Sequence, residues 1–366
     1  MALHKESYGL IYNDDGSLCV TLRKDDVPFE GVTSFAVEEG TTNLHPNPED
    51  LNAFNGYPSK WSYKGETYNG MKVFEWTVKD GTRQYIGIDQ SSIGNWVGKT
   101  VTFSVYYYVQ NVPSWGIYIT SDATIHKSIV IDLGDGWKRR IITATLNATT
   151  CDFWLNPFSS TAGVFKFCGF QIEEKPFATS FTEGTRPAGR FRIFDDASVR
   201  RFANGFVIGG WFKRNKPVEL SEDFRLFSCT EDGGFNIEKI AGNPMRVSFN
   251  DGGTYVLAYL QNQTFLDDLQ WHFVILTYDT TTKTAKLYID GVSDATLTLQ
   301  NGLYFNQSKQ YRLEIGNELY GTYPFNGLIS NIIIATYDPA IWTDDYIQAL
   351  YDAKKPFAVP PKMPII

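Results

Sequence analysis

Cysteine is scarce, basic clusters are shorter still, and long apolar runs are missing; each shortage excludes a class of protein. The four cysteines (Cys19, Cys151, Cys168, Cys229) form no C-x-x-C pair among 366 residues, so no zinc ribbon or disulfide framework is spelled out. They lie mostly within apolar strand patterns and read as buried free thiols. Residues 1–17, MALHKESYGLIYNDDGS, contain no apolar segment of signal-peptide length, so the expectation is synthesis in a reducing cytoplasm without a signal peptide. No stretch approaches the ~20 apolar residues that span a bilayer, and membrane insertion is not expected. With 33 basic against 41 acidic residues the net charge is −8, and the longest basic run is Lys138 to Arg140. A nucleic-acid partner is therefore not expected.

Catalytic signatures are missing too. A retaining laminarinase carries E-x-D-x-E or E-x-D-x-x-E on one strand, so that alternation aims the carboxylates at one cleft, and no E-x-D triplet occurs here. The four histidines (His4, His45, His126, His272) show no HxH or HExxH spacing, and neither a GxSxG elbow nor a phosphate loop is present. His272, between Trp271 and Phe273, reads as a packed or turn-facing residue. The expectation is a protein that is not an enzyme.

What the chain has in abundance is aromatic side chains: 15% of its residues, including 21 Tyr and 26 Phe. Leu/Ala-rich helical windows are nearly absent, so strands dominate. The length suits two domains. The segment KTVTFSVYYYVQ (99–110) alternates, with Val101, Phe103, Val105, Tyr107 and Val109 on one face and Thr102, Ser104, Tyr106 and Tyr108 on the other. Further strands are predicted at 115–120, 128–133, 138–146, 152–156 and 163–174, separated by Asp, Gly, Asn and Pro turns. Later come FVIGGWFKR (206–214), WHFVILTYD (271–279), KLYIDG (286–291) with a type I′ turn at Asp290-Gly291, LEIGN (313–317) and FNGLISNIIIA (325–335). Thr343 is placed to cap a closing helix, with Ile347, Leu350 and Tyr351 on one face and Lys354 and Lys355 before the stop at Pro356. A turn at 13–16 predicts a small N-terminal hairpin.

The fold class expected is all-β: two tandem antiparallel β-sandwiches (jelly rolls), with a short N-terminal arm and a short C-terminal helix. The arm takes residues 1–29, the first sandwich 30–185, the second 186–357 and a Pro-rich tail 358–366. The run QIEEKPFATSFTEGTRPAG (171–189) reads as the seam between the sandwiches, since its Pro and Gly residues block regular structure. This wording resembles a segment of bacteriophage tail and other virion proteins, in which a carbohydrate-binding-module-like jelly roll precedes a concanavalin A-like (laminin G-like) lectin/glucanase domain. The tryptophan opening 271–279, the YIDG hairpin, the IG strand and the final G-x-I strand resemble the laminin G-like branch.

That resemblance implies a non-catalytic virion protein, a tail fibre or capsid decoration, that adheres to host cell-surface polysaccharide. Its expected partners are that glycan and other virion proteins, and its place is the exposed surface or tail of the particle. The alternatives it leaves open are a purely structural decoration or fibre protein whose sandwiches mediate subunit contacts, and a polysaccharide-degrading enzyme or its accessory module. Weak contacts repeated over copies suit adhesion, so a homo-oligomer is expected, a trimer being one form.

Sugar binding needs flat rings and nearby amides or guanidinium groups. Alternation turns Tyr106, Tyr108, Tyr118, Trp154 and Tyr85 away from the core, with Arg83 and Asn156 nearby in register, and this set is the expected glycan platform. No cofactor is expected. The loops EDGG (231–234) and NDGG (250–253) offer oxygens to calcium, although Asp-Gly pairs are more often plain turns.

Overall fold

The computed structural model describes residues 4–5, 10–12, 18–23, 27–29, 32–77, 81, 84–120, 122–159, 162–193, 195–263, 265 and 267–354. The turn expected at 13–16, the Pro-rich tail and Arg83 lie outside them. The chain is all-β, built from antiparallel sheets with a short helix, Asp344–Ala353, near its C-terminal end. It divides into two compact units, one of residues 40–187 and one in which 10–39 join 188 onward.

In the 40–187 unit, alternation on Thr100–Gln110 sends Val101, Phe103 and Val105 into a core shared with Phe153, Leu155, Phe165, Phe167 and Ile172. Two sheets enclose that core. One has six strands, in the order Ala123–Asp132, Trp137–Leu146, Thr100–Gln110, Val164–Glu173, Met71–Trp76 and Trp61–Tyr68. The other has four: Ser114–Ile119, Phe153–Phe158, Ile86–Ile88 and Asn55–Gly56. Phe103 and Phe153 meet edge to face across the layer, ring centroids 5.6 Å apart.

The outer face of the six-stranded sheet is not open. Past Glu173 the chain turns back over it as a strap, and Phe181 packs with Met71, Val73, Tyr106, Trp137 and Cys168. Buried polar groups fasten the strap: Thr179 donates its amide to Glu173 Oε2 at 3.0 Å, Thr182 donates to Gln171 Oε1 at 2.8 Å, and Arg139 Nη2 donates to the Thr179 carbonyl at 2.6 Å. The Asn43 amide adds bonds to the carbonyls of Phe170 and Thr182, both at 3.0 Å. Residues 174–182 of the expected seam are thus a cover for this unit, and the division falls between Pro187 and Ala188.

The other unit is a second sandwich. Its six-stranded sheet runs Phe191–Ile193, Leu313–Ile315, Phe224–Ser228, Phe235–Lys239, Arg246–Asp251, Thr254–Tyr259. The facing sheet has nine strands and centres on Phe206–Arg214, flanked by Gly327–Thr336 and His272–Asp279. Phe206, Phe235 and Phe249 stack between them, and the Tyr278 ring packs tilted against Phe249. On the far side of the nine-stranded sheet, Asp344–Ala353 sets Ile347 against Val207, Trp211, Phe273 and Trp342. Thr343 caps it through Oγ1, which accepts the Tyr346 amide at 3.2 Å.

The expected partition of the N-terminal segment is corrected. Leu18–Arg23 and Ser34–Val37 pair with each other, and Ser34–Val37 continues onto Gly327–Thr336. The described strands Leu10–Tyr12, Leu18–Arg23 and Ser34–Val37 therefore belong to the nine-stranded sheet of the second sandwich and not to a separate arm or to the opening of the first. The strand Gly327–Thr336 would otherwise leave a row of amides and carbonyls without ladder partners on one side.

Candidate functional site

The outer face of the four-stranded sheet carries a row of rings. Phe153 and Leu155 are fully buried, so alternation turns Trp154 outward, and Ile117 and Ile119 do the same for Tyr118. Register places Tyr118 directly opposite Trp154 on the neighbouring strand. Tyr85 meets Trp154 with centroids 4.8 Å apart, and Tyr57 meets Tyr85 at 5.0 Å. Tyr57, Tyr85 and Tyr118 are each more than a third exposed, and Trp154 is half-buried.

Glycines make room for this row. A Cβ on Gly87 would come within 2.6 Å of the Trp154 ring, one on Gly56 within 2.7 Å of the Tyr85 ring, and one on Gly116 within 3.1 Å of the Tyr118 ring. Each ring is thereby able to lie close to the sheet. The polar group of the row is Asn156, whose Nδ2 donates to the Tyr118 hydroxyl at 3.1 Å while Oδ1 has no partner among the described residues. At the start of the same strand, burial raises the Asp152 carboxyl above its ordinary value, opposed by the Gln90 amide at 3.1 Å. Aromatic faces beside an amide accept the apolar face and a hydroxyl of a pyranose.

Six of the seven residues expected to form a platform are thus sorted onto two faces. Tyr85, Tyr118, Trp154 and Asn156 come together. Tyr106 does not join them: it is 3% exposed, under the strap, with the Arg139 guanidinium 4.9 Å from its ring centroid. Tyr108 lies half-buried on the same outer face of the six-stranded sheet, 6.0 Å from Trp137. Alternation gives direction relative to the core but not which sheet a strand enters, and Thr100–Gln110 and Phe153–Phe158 lie on opposite sides of that core. Tyr57 was not expected; nothing marks it in sequence, since it sits between the two-residue strand Asn55–Gly56 and the one-turn helix Pro58–Lys60.

Two other features compete for attention. In the second sandwich, the outer face of the six-stranded sheet carries ion pairs, Arg192 with Glu314 at 2.6 Å, and Glu238 with Arg225 at 3.2 Å and Arg246 at 2.9 Å; Glu314 Oε2 has no partner among the described residues, and burial raises its carboxyl above the ordinary value. The 250–253 loop is held by its own side chains. Asp251 accepts the amides of Gln300, Asn301 and Gly302 at 2.6–3.0 Å, and Asn250 Oδ1 accepts that of Gly253 at 2.7 Å. Among the described residues no group of three or more His, Cys, Asp or Glu side chains converges as a metal site. His272 is a clamp on the Asp290-Gly291 hairpin, its Nδ1 2.7 Å from Asp290 and its Nε2 2.9 Å from Asp268. All four cysteines are buried free thiols.

Residues 194–337 match the family described as the concanavalin A-like lectin/glucanases superfamily. No curated protein matches the chain. Among solved structures, it is similar to a binding domain of botulinum neurotoxin DC in complex with SialylT, at 15% identity over 43% of this chain and 38% of that one, with a TM-score of 0.32. A structure described as a receptor binding domain gives 16% identity over 49% and 42%, with a TM-score of 0.34. A botulinum neurotoxin serotype D binding domain gives 14% over 42% and 38%, with a TM-score of 0.31. This chain spans about two-fifths of the length of each.

Proposed function

We propose that the protein is a non-catalytic glycan-binding module and that the 40–187 unit holds the sugar. The observation that carries this reading is the outward row Tyr57, Tyr85, Trp154 and Tyr118, seated over glycines, with the Asn156 amide bonded to the Tyr118 hydroxyl. Rings offer stacking to the apolar side of a sugar, and the tyrosine hydroxyls offer hydrogen bonds to its hydroxyls. The match of residues 194–337 to a superfamily of lectins and glucanases supports the glycan class. Against catalysis stand the Arg–carboxylate pairs on the charged face, where Arg225 and Arg246 engage both oxygens of Glu238.

The setting we propose is the surface of a virion, with host wall polysaccharide as ligand and several copies per particle. It rests on the likeness of the 171–189 segment to virion proteins. Repetition would raise weak single-site binding by roughly 10²–10⁴.

Retention of the protein on bacterial cell walls and immobilised polysaccharides tests the reading, with Trp154→Ala and Tyr85→Ala beside wild type and Tyr108→Ala as a control on the opposite face. Each variant on the row is expected to weaken retention by roughly tenfold, equivalent to about 1.4 kcal/mol, and Tyr108→Ala to leave it unchanged. Equal retention of all four proteins would exclude this face.

A further inference from the structure

A strand at the rim of a sheet offers unpaired amides and carbonyls to any second strand, and most rims of this chain are blunted against that. Ala123–Asp132 carries Lys127 and Asp132 and breaks register between Ile125 and Lys127. Trp61–Tyr68 carries Lys64 and Glu66 and breaks register between Tyr63 and Thr67. Val292–Thr298 carries Asp294, where its own register shifts. Phe191–Ile193 and Asn55–Gly56 are only three and two residues long. Ser114–Ile119 is uncharged but weakened by Gly116 at its centre. Thr254–Tyr259, of sequence TYVLAY, has none of these features: it is six residues long, without charge, Gly or Pro, and pairs with Arg246–Asp251 without a shift. Among the described residues it is the last strand of its six-stranded sheet.

The backbone groups on its open side can be identified. The Leu260 amide donates to the Met245 carbonyl at 3.0 Å, one step beyond the pair Tyr259 and Arg246. Antiparallel ladders alternate between bonded and unbonded pairs, so residues 254, 256, 258 and 260 bond inward, and Tyr255, Leu257 and Tyr259 turn their amides and carbonyls outward. The next strand agrees: the Asn250 amide donates to the Gly234 carbonyl at 2.8 Å, and so not across to its pair partner Tyr255. The same three residues hold their side chains on the outer face, 41%, 39% and 41% exposed. We propose that this edge pairs with the same edge of a second copy, antiparallel about a two-fold axis at Leu257. Leu257 then faces its own mate and Tyr255 faces Tyr259 in both directions, so outward amides meet outward carbonyls and apolar side chains meet apolar side chains. The order tyrosine, leucine, tyrosine reads alike from either end, which makes the edge its own complement, and no charge on the strand opposes its copy. Two-fifths of three side chains on each copy is less than the ~1,200–2,000 Å² of a permanent interface, so the dimer is reversible and forms with rising concentration. This contact does not depend on the glycan reading.

Sedimentation velocity on the full chain, from about one to several hundred micromolar, tests it. Wild type is expected to pass from monomer to dimer over that range. Leu257→Lys, which sets two ammonium groups at the axis, is expected to stay monomeric with its thermal midpoint unchanged, and Tyr85→Ala, on the other sandwich, to dimerise as wild type does. Oxidation reads the register. Directly opposed residues of a bonded antiparallel pair lie about 5.5 Å apart between Cα atoms, within reach of a disulfide, and the four native cysteines are buried. Leu257→Cys is expected to give a covalent dimer, and Tyr255→Cys, whose mate faces Tyr259, to give none. A dimer that Leu257→Lys leaves intact, a trimer, or a covalent dimer from Tyr255→Cys but not from Leu257→Cys would overturn the proposal. Wild type that stays monomeric at every concentration also overturns it, and leaves the edge to a strand of another protein.

Discussion

Burial sets the charge of Glu49. It is 7% exposed; Oε2 accepts the Lys72 amide at 2.8 Å, while Oε1 has no partner among the described residues. Burial raises its carboxyl from 4.5 to about 7, against the opposing amide and ammonium of Lys72. The folded value lies above the unfolded one, so its contribution to stability is fully present below about pH 4.5 and is lost as pH rises through 7. That window is worth about 3 kcal/mol. Glu49→Gln should therefore gain stability relative to wild type as pH goes from 4 to 8, read by urea denaturation across that range. Parallel pH profiles for the two proteins would refute this. The same scale shows where sequence reading stops. Outward direction was legible for Trp154 and Tyr118, because Phe153, Leu155, Ile117 and Ile119 fix the parity. It was equally legible for Tyr106, yet a strap from 70 residues further on covers that ring, and no local pattern carries such information.

At the scale of elements, strand positions were the most legible feature. Phe206–Arg214 and His272–Asp279 follow from apolar runs bounded by turns, and Asp290 and Gly291 both take positive φ, as the hairpin requires. The pairing of Ser34–Val37 was not legible, because its partner strand Gly327–Thr336 lies nearly 300 residues away and four residues of apolar sequence suit either sandwich. The pairing has a measurable consequence. Deleting residues 1–39 removes the ladder Gly327–Val37 to Ser330–Ser34 and the buried side chains Cys19, Val20 and Val37 from the core. Thermal denaturation should then lower the transition of the second sandwich by several degrees or abolish it, with that of residues 40–187 retained. An unchanged second transition would contradict the assignment of this segment.

The whole molecule is two sandwiches with unequal tasks under this account: one carries an outward ring row, and the other carries buried Arg–Glu pairs on its six-stranded sheet. The two-sandwich plan was readable because aromatic alternation and turn chemistry repeat along the entire chain. Which face would be left open was not, since it depends on the strap and on the four-stranded sheet, whose short members Ile86–Ile88 and Asn55–Gly56 give almost no sequence signal. The central claim is best tested on the intact protein by following its tryptophan indole N–H signals in ¹⁵N–¹H spectra, during titration with a soluble glycan that the protein retains. Trp154 is assigned from its loss in Trp154→Phe. The account predicts that the Trp154 signal moves with ligand while those of the buried Trp76 and Trp342 stay fixed. A retained glycan that leaves the Trp154 signal in place would contradict it.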